Sequence, residues 1–168
     1  MLTHPDNSSK SFTVRDRLLE IQPSVKQWGI SDREGIVHRL DKQTSGLIVC
    51  ALNEDIFKLL QTFFKERTIY KEYVCIVEGK LRTQSGNIEV PLSRSRHNRI
   101  KREVSNEGRI SSSNFEVLLE GDTYSKLKIE LLTGRNHQIR SQMEFLGNPI
   151  VNDVLYGAKK LGSLTSNS

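Results

Sequence analysis

A chain of 168 residues with a net charge of +5, 36% hydrophobic and 27% charged residues is long enough for one domain with a real core, yet needs much loop and solvated surface. The positive excess suits a polyanionic partner such as nucleic acid, although many basic proteins bind nothing acidic. No apolar stretch reaches the length of a membrane span, residues 1–17 are polar with no signal-peptide core, and no Cys-x-x-Cys or His-x-x-x-His spacing occurs, which argues against a membrane protein and a zinc site and makes a cytoplasmic location the expectation.

In chain order, residues 1–35 are weakly patterned, with a short helix expected near residues 12–21 and ended by Pro23. The apolar run Leu47-Ile48-Val49-Cys50-Ala51-Leu52 reads as a buried strand. Asn53 is a good N-cap and Glu54 and Asp55 suit a first helical turn. Ile56, Leu59, Leu60, Phe63 and Phe64 then recur at three- and four-residue steps, the spacing of one buried stripe, with Lys58, Lys65, Glu66 and Arg67 toward solvent or the helix end.

Residues 69–77 are β-branched and aromatic and predict a strand ended by Gly79. Residues 86–92 predict a second, with Pro91 at its edge. Residues 115–119 and 125–132 read as a hairpin around Glu120-Gly121-Asp122, and Leu127, Ile129 and Leu131 alternate with Lys126, Lys128 and Glu130 as in a half-buried strand. Residues 136–146 predict a helix with Gly147 at its C-cap and Pro149 beyond. Strands and helices do not alternate strictly, which favours an α+β fold over a doubly wound parallel sheet. Cys50 and Cys75 both lie in apolar runs and read as buried free thiols.

Three segments carry chemistry. In His38-Arg39-Leu40-Asp41-Lys42-Gln43-Thr44-Ser45-Gly46-Leu47 a single carboxylate stands among basic residues on a loop feeding an apolar segment, a setting that favours an ionised and positioned Asp41. Residues 94–102, Arg-Ser-Arg-His-Asn-Arg-Ile-Lys-Arg, form the densest positive run, with nothing acidic inside it. A solvated loop and a phosphate-contacting loop are equally good readings of it. In Thr133-Gly134-Arg135-Asn136-His137-Gln138-Ile139-Arg140, Gly134 permits a tight turn and the helix start that follows attracts an anion. On these residues alone His137 is a hydrogen-bonded helix residue and Arg140 a surface salt bridge.

The first segment resembles the active-site motif H-R-L-D-x-x-T-S-G-L of the RluA-type pseudouridine synthases. Residues 134–140, with Gly147-Asn148-Pro149-Ile150-Val151-Asn152-Asp153 and Leu155-Tyr156-Gly157, resemble the same family's G-R-T-H-Q-I-R…G-x-P-I-x-G-D-x-x-Y-G signature. Lys71-Glu72-Tyr73 is similar to its K-x-Y strand motif, and Asn98-Arg99-Ile100-Lys101 falls where many members carry a basic loop. The landmarks run in family order over residues 35–157, and His38 before Arg39 points to the RluA branch.

The resemblance implies one catalytic domain over residues 1–168, with a mixed, mainly antiparallel sheet, flanking helices, a central RNA-binding cleft and a polar tail at 158–168. It implies an isomerase that turns uridine into pseudouridine in RNA, ribosomal RNA first and transfer RNA second, working as a monomer with no cofactor and no metal. Asp41 would be the catalytic carboxylate, and Arg140 would pair with it and keep it ionised. Tyr73 would stack on the uracil, Ile139 would pack on the base, and Arg39 would fill the gap left by the flipped nucleotide. His38, Lys42, Arg94, Arg96, Arg99, Lys101, Arg102, Arg135 and His137 would contact RNA.

The chain departs from the pattern as well. Members usually carry a K-P-x-G-L turn ahead of what matches Leu2-Thr3-His4-Pro5, and a further strand containing L-H-A beyond Tyr156-Gly157, so a fold incomplete at both ends is expected. Asn136, Gln142 and Asn152 stand where Thr, His and Gly are usual. The first two retain hydrogen bonding, and Asn152 suits a left-handed backbone. The rival reading is an RNA-binding protein without catalysis, a degenerate or truncated paralogue. Asp41, Tyr73 and Arg140 argue for the enzyme.

Overall fold

The computed structural model describes residue 3, residues 12–28 and residues 33–161; His4, Pro5 and residues 162–168 of the expected tail lie outside the described residues. The chain divides into two compact units, Met1–Ile69 and Tyr70–Ser168.

In the first unit, helix α1 (Val14–Ile21) starts at a capping box. The Thr13 side chain accepts the Asp16 N–H, and the Asp16 carboxylate accepts from the Thr13 N–H at 2.9 Å and hydroxyl at 2.7 Å. These bonds, the hydroxyl's first, hold the Asp16 carboxyl below its ordinary pKa. Pro23 ends α1 as expected by opening a 3-10 helix, Pro23–Gln27, where its missing N–H costs nothing. Leu18, Val25 and Ile36 form a small core, with Leu19, Trp28 and Cys50 packed against it.

Helix α2 (Glu54–Glu66) is capped by Asn53, whose Oδ1 accepts the Ile56 N–H at 2.9 Å, and ends at Arg67 in the left-handed region. Its packed line is not the expected stripe. Phe57 is the buried residue, against the Trp28 ring at 5.3 Å, and Leu60 and Phe64 are half-buried. Ile56, Leu59 and Phe63 are 42%, 46% and 38% exposed. The apolar arc is wider than one stripe, and Phe57 selects which side of it turns inward. The expected strand at 47–52 is reduced to an isolated antiparallel bridge between Cys50 and Ile36, with Leu47, Val49 and Leu52 exposed. Its pairing stops there because residues 37–41 continue as loop, with no further ladder partner.

The second unit is an antiparallel five-stranded sheet, β1 (Glu72–Glu78), β2 (Ser85–Arg94), β3 (Arg102–Val104), β4 (Arg109–Glu120) and β5 (Tyr124–Leu131), in the order β1-β5-β4-β2-β3. Helix α3 (Gln138–Phe145) contributes Met143 to the core of Val77, Ile88, Phe115, Leu127 and Ile129. The α+β class and the predicted hairpin are as expected, with the Gly121 N–H bonded to the Tyr124 carbonyl at 3.0 Å.

Pro91 sits inside β2, a strand paired on both sides. Its carbonyl accepts the Ser105 N–H at 3.0 Å, so its missing N–H faces the same side, where the short β3 pairs only Leu92 to Arg94. The α3 ending is the expected one: Gly147 has φ +82, and the N–H groups of Gly147 and Asn148 return to the carbonyls of Glu144 and Met143.

Candidate active site and basic surface

The Asp41 loop is closed at its base. The Ala51 N–H bonds the Gly35 carbonyl at 2.8 Å, next to the Ile36–Cys50 bridge. Gly35 is required there: its φ is +70, and a Cβ would come within 2.5 Å of Leu18 Cδ2 and 2.9 Å of the Ala51 carbonyl oxygen. Across the loop, His38 Nε2 accepts the Val49 N–H at 2.9 Å, while the ring stacks on Phe64. The Asp41 carbonyl accepts the Thr44 N–H at 2.9 Å, which makes a turn at the far end. Asp41 itself is half-buried, and Arg39 and Lys42 are exposed. The result is an accessible carboxylate on a backbone pinned at base, middle and tip.

In the second unit Tyr73, opposite Ile129 in the β1–β5 ladder, and Ile139, on α3, are both half-buried against the main core. Arg140 binds Asp153 with two parallel bonds, Nε to Oδ2 at 2.6 Å and Nη2 to Oδ1 at 2.7 Å. The pair is largely buried, which corrects the surface salt bridge expected from residues alone. Beneath it lies Tyr156, fully buried, with its ring centroid 4.6 Å from the Arg140 guanidinium carbon and 5.2 Å from Lys101 Nζ. The Tyr156 hydroxyl accepts the Arg102 N–H at 2.9 Å and bonds His137 Nδ1 at 2.9 Å. Lys101 is also paired with Glu144. Four sequence-predicted residues, Lys101, Arg102, His137 and Arg140, therefore meet on one tyrosine. Asp153, Tyr156 and Glu144 were not singled out from sequence, although the first two stand inside the signature segment.

His137 is the N-cap of α3, in the left-handed region at φ +54, and the helix begins two residues later than expected. Gly134 is not required by the turn, since it lacks a positive φ and a Cβ there would meet nothing within 4 Å. Gln138 organises the turn instead: its Oε1 accepts from the Thr133 hydroxyl at 2.8 Å and the Arg135 N–H at 2.9 Å, and its Nε2 donates to the Ser112 carbonyl. Arg135 Nε reaches the Ile110 carbonyl at 3.3 Å. Asn152 adopts φ +65, the left-handed conformation anticipated for it.

The basic run is an ordered loop. Its ends meet through the Ser95 N–H and the Lys101 carbonyl, and the buried Ser95 hydroxyl accepts the N–H groups of His97 and Asn98. Arg96 pairs with Glu107. Arg94 and Arg99 are exposed and have no ion-pair partner among the described residues. Cys50 and Cys75 are free and half-buried, and burial pushes both thiols up, Cys75 to about 12. No group of three or more His, Cys, Asp and Glu that could hold a metal occurs among the described residues, and no helix of the described chain is long and apolar enough to cross a membrane.

A profile of the family described as RNA pseudouridylate synthase matches residues 9–145. The chain is 39% identical over 160 residues to ribosomal large subunit pseudouridine synthase D of Borreliella burgdorferi, covering 94% of this chain and 49% of that protein. It is 33% identical over 159 residues to the protein of the same name from Haemophilus ducreyi, covering 95% and 48%. Among solved structures, human RNA Pseudouridylate Synthase Domain Containing 1 superposes with a TM-score of 0.72 at 29% identity, over 86% of this chain and 60% of that one. The chain thus spans about half the length of the curated relatives it matches. With a profile match over most of its length and the RluA-type motifs in order, the chain belongs to the RNA pseudouridylate synthase family.

Proposed function

We propose that this chain isomerises uridine to pseudouridine in RNA, with ribosomal RNA as the first substrate to try. The observation that carries the reading is Asp41: an accessible carboxylate on a pinned loop, inside the 9–145 match and within the motif where the family places its catalytic aspartate. Ribosomal RNA is favoured by the names of the relatives, and transfer RNA is the second candidate. The reaction breaks the N1–C1′ bond, rotates the base, forms C5–C1′, gives the C5 proton to solvent and leaves N1 protonated.

Asp41 supplies the carboxylate for this isomerisation. Tyr73 and Ile139 hold the uracil ring, and Arg140 provides oriented donors for negative charge. The target nucleotide must leave its stack, at roughly a few kcal/mol, and Arg39 takes its place in the helix. His38, Lys42, Arg94, Arg96, Arg99, Lys101, Arg102, Arg135 and His137 contact the RNA. The reading carries with it a cytoplasmic, monomeric protein. Nothing observed favours the non-catalytic alternative. The test is to incubate the chain with unmodified ribosomal and transfer RNA transcripts and map pseudouridine by carbodiimide adducts that stop primer extension. New stops in one RNA class name the substrate, and none in either from folded protein overturns the proposal.

A further inference from the structure

We propose that Asp153, with Tyr156 beneath it, is the element that positions Arg140 for the reaction, an inference that rests on the synthase reading above. An arginine side chain has several rotatable bonds and costs entropy to hold in one place. Here that freedom is removed twice. The Asp153 carboxylate takes the Nε–Nη2 edge in two parallel bonds, which fixes the guanidinium plane. The Tyr156 ring, 4.6 Å from the guanidinium carbon, fixes its height. Both supports are themselves tied into the fold by hydrogen bonds. Asp153 opens a 3-10 turn, with its N–H on the Ile150 carbonyl and its own carbonyl accepting from Tyr156 and Ala158. The Tyr156 hydroxyl is held by the Arg102 N–H and by His137.

Stability alone is a poor reason for such an arrangement, because a buried ion pair is often no better for the fold than an apolar pair of the same size. Orientation is the better reason. Asp153 also offsets much of the net charge of Arg140 at a distance, so this residue acts through the fixed orientation of its guanidinium plane more than through a diffuse positive field. A reacting group that needs two donors in a set place gains from that, and RNA attraction does not.

The experiment measures kcat and KM for tritium release from C5 of labelled uridine in RNA, together with melting curves, for the unchanged chain, Asp153→Asn, Asp153→Glu and Tyr156→Phe. The side chain of Asn keeps the shape but loses the charge and one strong acceptor. The expected result for Asp153→Asn is a kcat lower by about 30- to 100-fold, the scale of a displacement near 1 Å, with KM within about threefold. Asp153→Glu should recover at least about tenfold of the loss, and Tyr156→Phe should lose about 3- to 10-fold in kcat. If Asp153→Asn does not fold, the same kcat-against-KM readout on Asp153→Glu and Tyr156→Phe decides. Release from the unchanged chain that these variants leave intact, or a change in KM alone, overturns the positioning role and leaves the synthase reading standing. No release from the unchanged chain on any RNA overturns both.

Discussion

The His38 ring lies nearly parallel to Phe64, centroids 4.9 Å apart and planes 22° apart, while its Nε2 takes the Val49 N–H at 2.9 Å. The residue preceding Arg39 thus braces the loop that carries Asp41, and its accepting nitrogen carries no proton. His38→Ala removes the stack and the bond together. Stability should fall by about 1–2 kcal/mol, the sum of one aromatic contact and one hydrogen bond. Turnover should fall through kcat more than RNA affinity does, because the brace of the Asp41 loop is lost while the other RNA-contacting residues stay in place. Urea unfolding beside steady-state kinetics checks both parts.

Gln142, where the family usually has His, is fully buried and joins α3 to two strands. Its Oε1 accepts the Ser113 hydroxyl at 2.7 Å, and its Nε2 donates to the carbonyls of Ile88 and Ser111 at 3.1 and 3.2 Å. Gln142→Ala strands these groups in the interior and should cost about 2–4 kcal/mol. Gln142→Glu keeps the volume but places a charge against two carbonyls, and should destabilise at least as much at neutral pH. Thermal unfolding of both variants measures this.

Burial raises the Cys75 thiol from 9.0 to about 12. At pH 8 the native chain should react with iodoacetamide at Cys75 far more slowly than the urea-unfolded chain, since the thiolate is the reacting form. The sign for stability follows. The folded state favours the neutral thiol, so this contribution is complete below pH 9 and is lost as pH rises from 9 toward 12. Mass-resolved alkylation of the native and unfolded chain tests the first statement, and denaturation at pH 8 and 10.5 the second.

Arg99 and Arg96 sit in one loop but differ in company. Arg99 is exposed and has no ion-pair partner among the described residues, whereas Arg96 already holds Glu107. Arg99→Ala should weaken RNA binding and reduce the slope of log affinity against log salt by about 0.7–0.9, one phosphate contact. Arg96→Ala should change the slope less, since Glu107 is freed at the same time. Filter binding across a salt series separates them.

Much of this was legible in the chain. The alternation of Leu127, Ile129 and Leu131 marked β5, the Asn53 cap and acidic first turn marked α2, and Gly147 marked the end of α3. β3 and the first half of β4 were not legible. Arg102–Val104 lies against a charged run, and the inward positions of β4 are Ser111 and Ser113, so hydrophobic periodicity is silent where small polar side chains fill the interior. The choice of Phe57 over its neighbours on α2 depends on Trp28, a partner set by tertiary structure. Asp41 could be read because its loop motif is contiguous. The Arg140–Asp153 pair spans thirteen positions and the Tyr156–Arg102 bond fifty-four, and no local spacing announces either.

The measurement that bears most directly on the central claim is tritium release from C5 of uridine in unmodified RNA, with the unchanged chain beside Asp41→Ala, both shown to be folded. The account predicts release by the first and none above background by the second. Equal release by Asp41→Ala, or none by the unchanged chain, would contradict it.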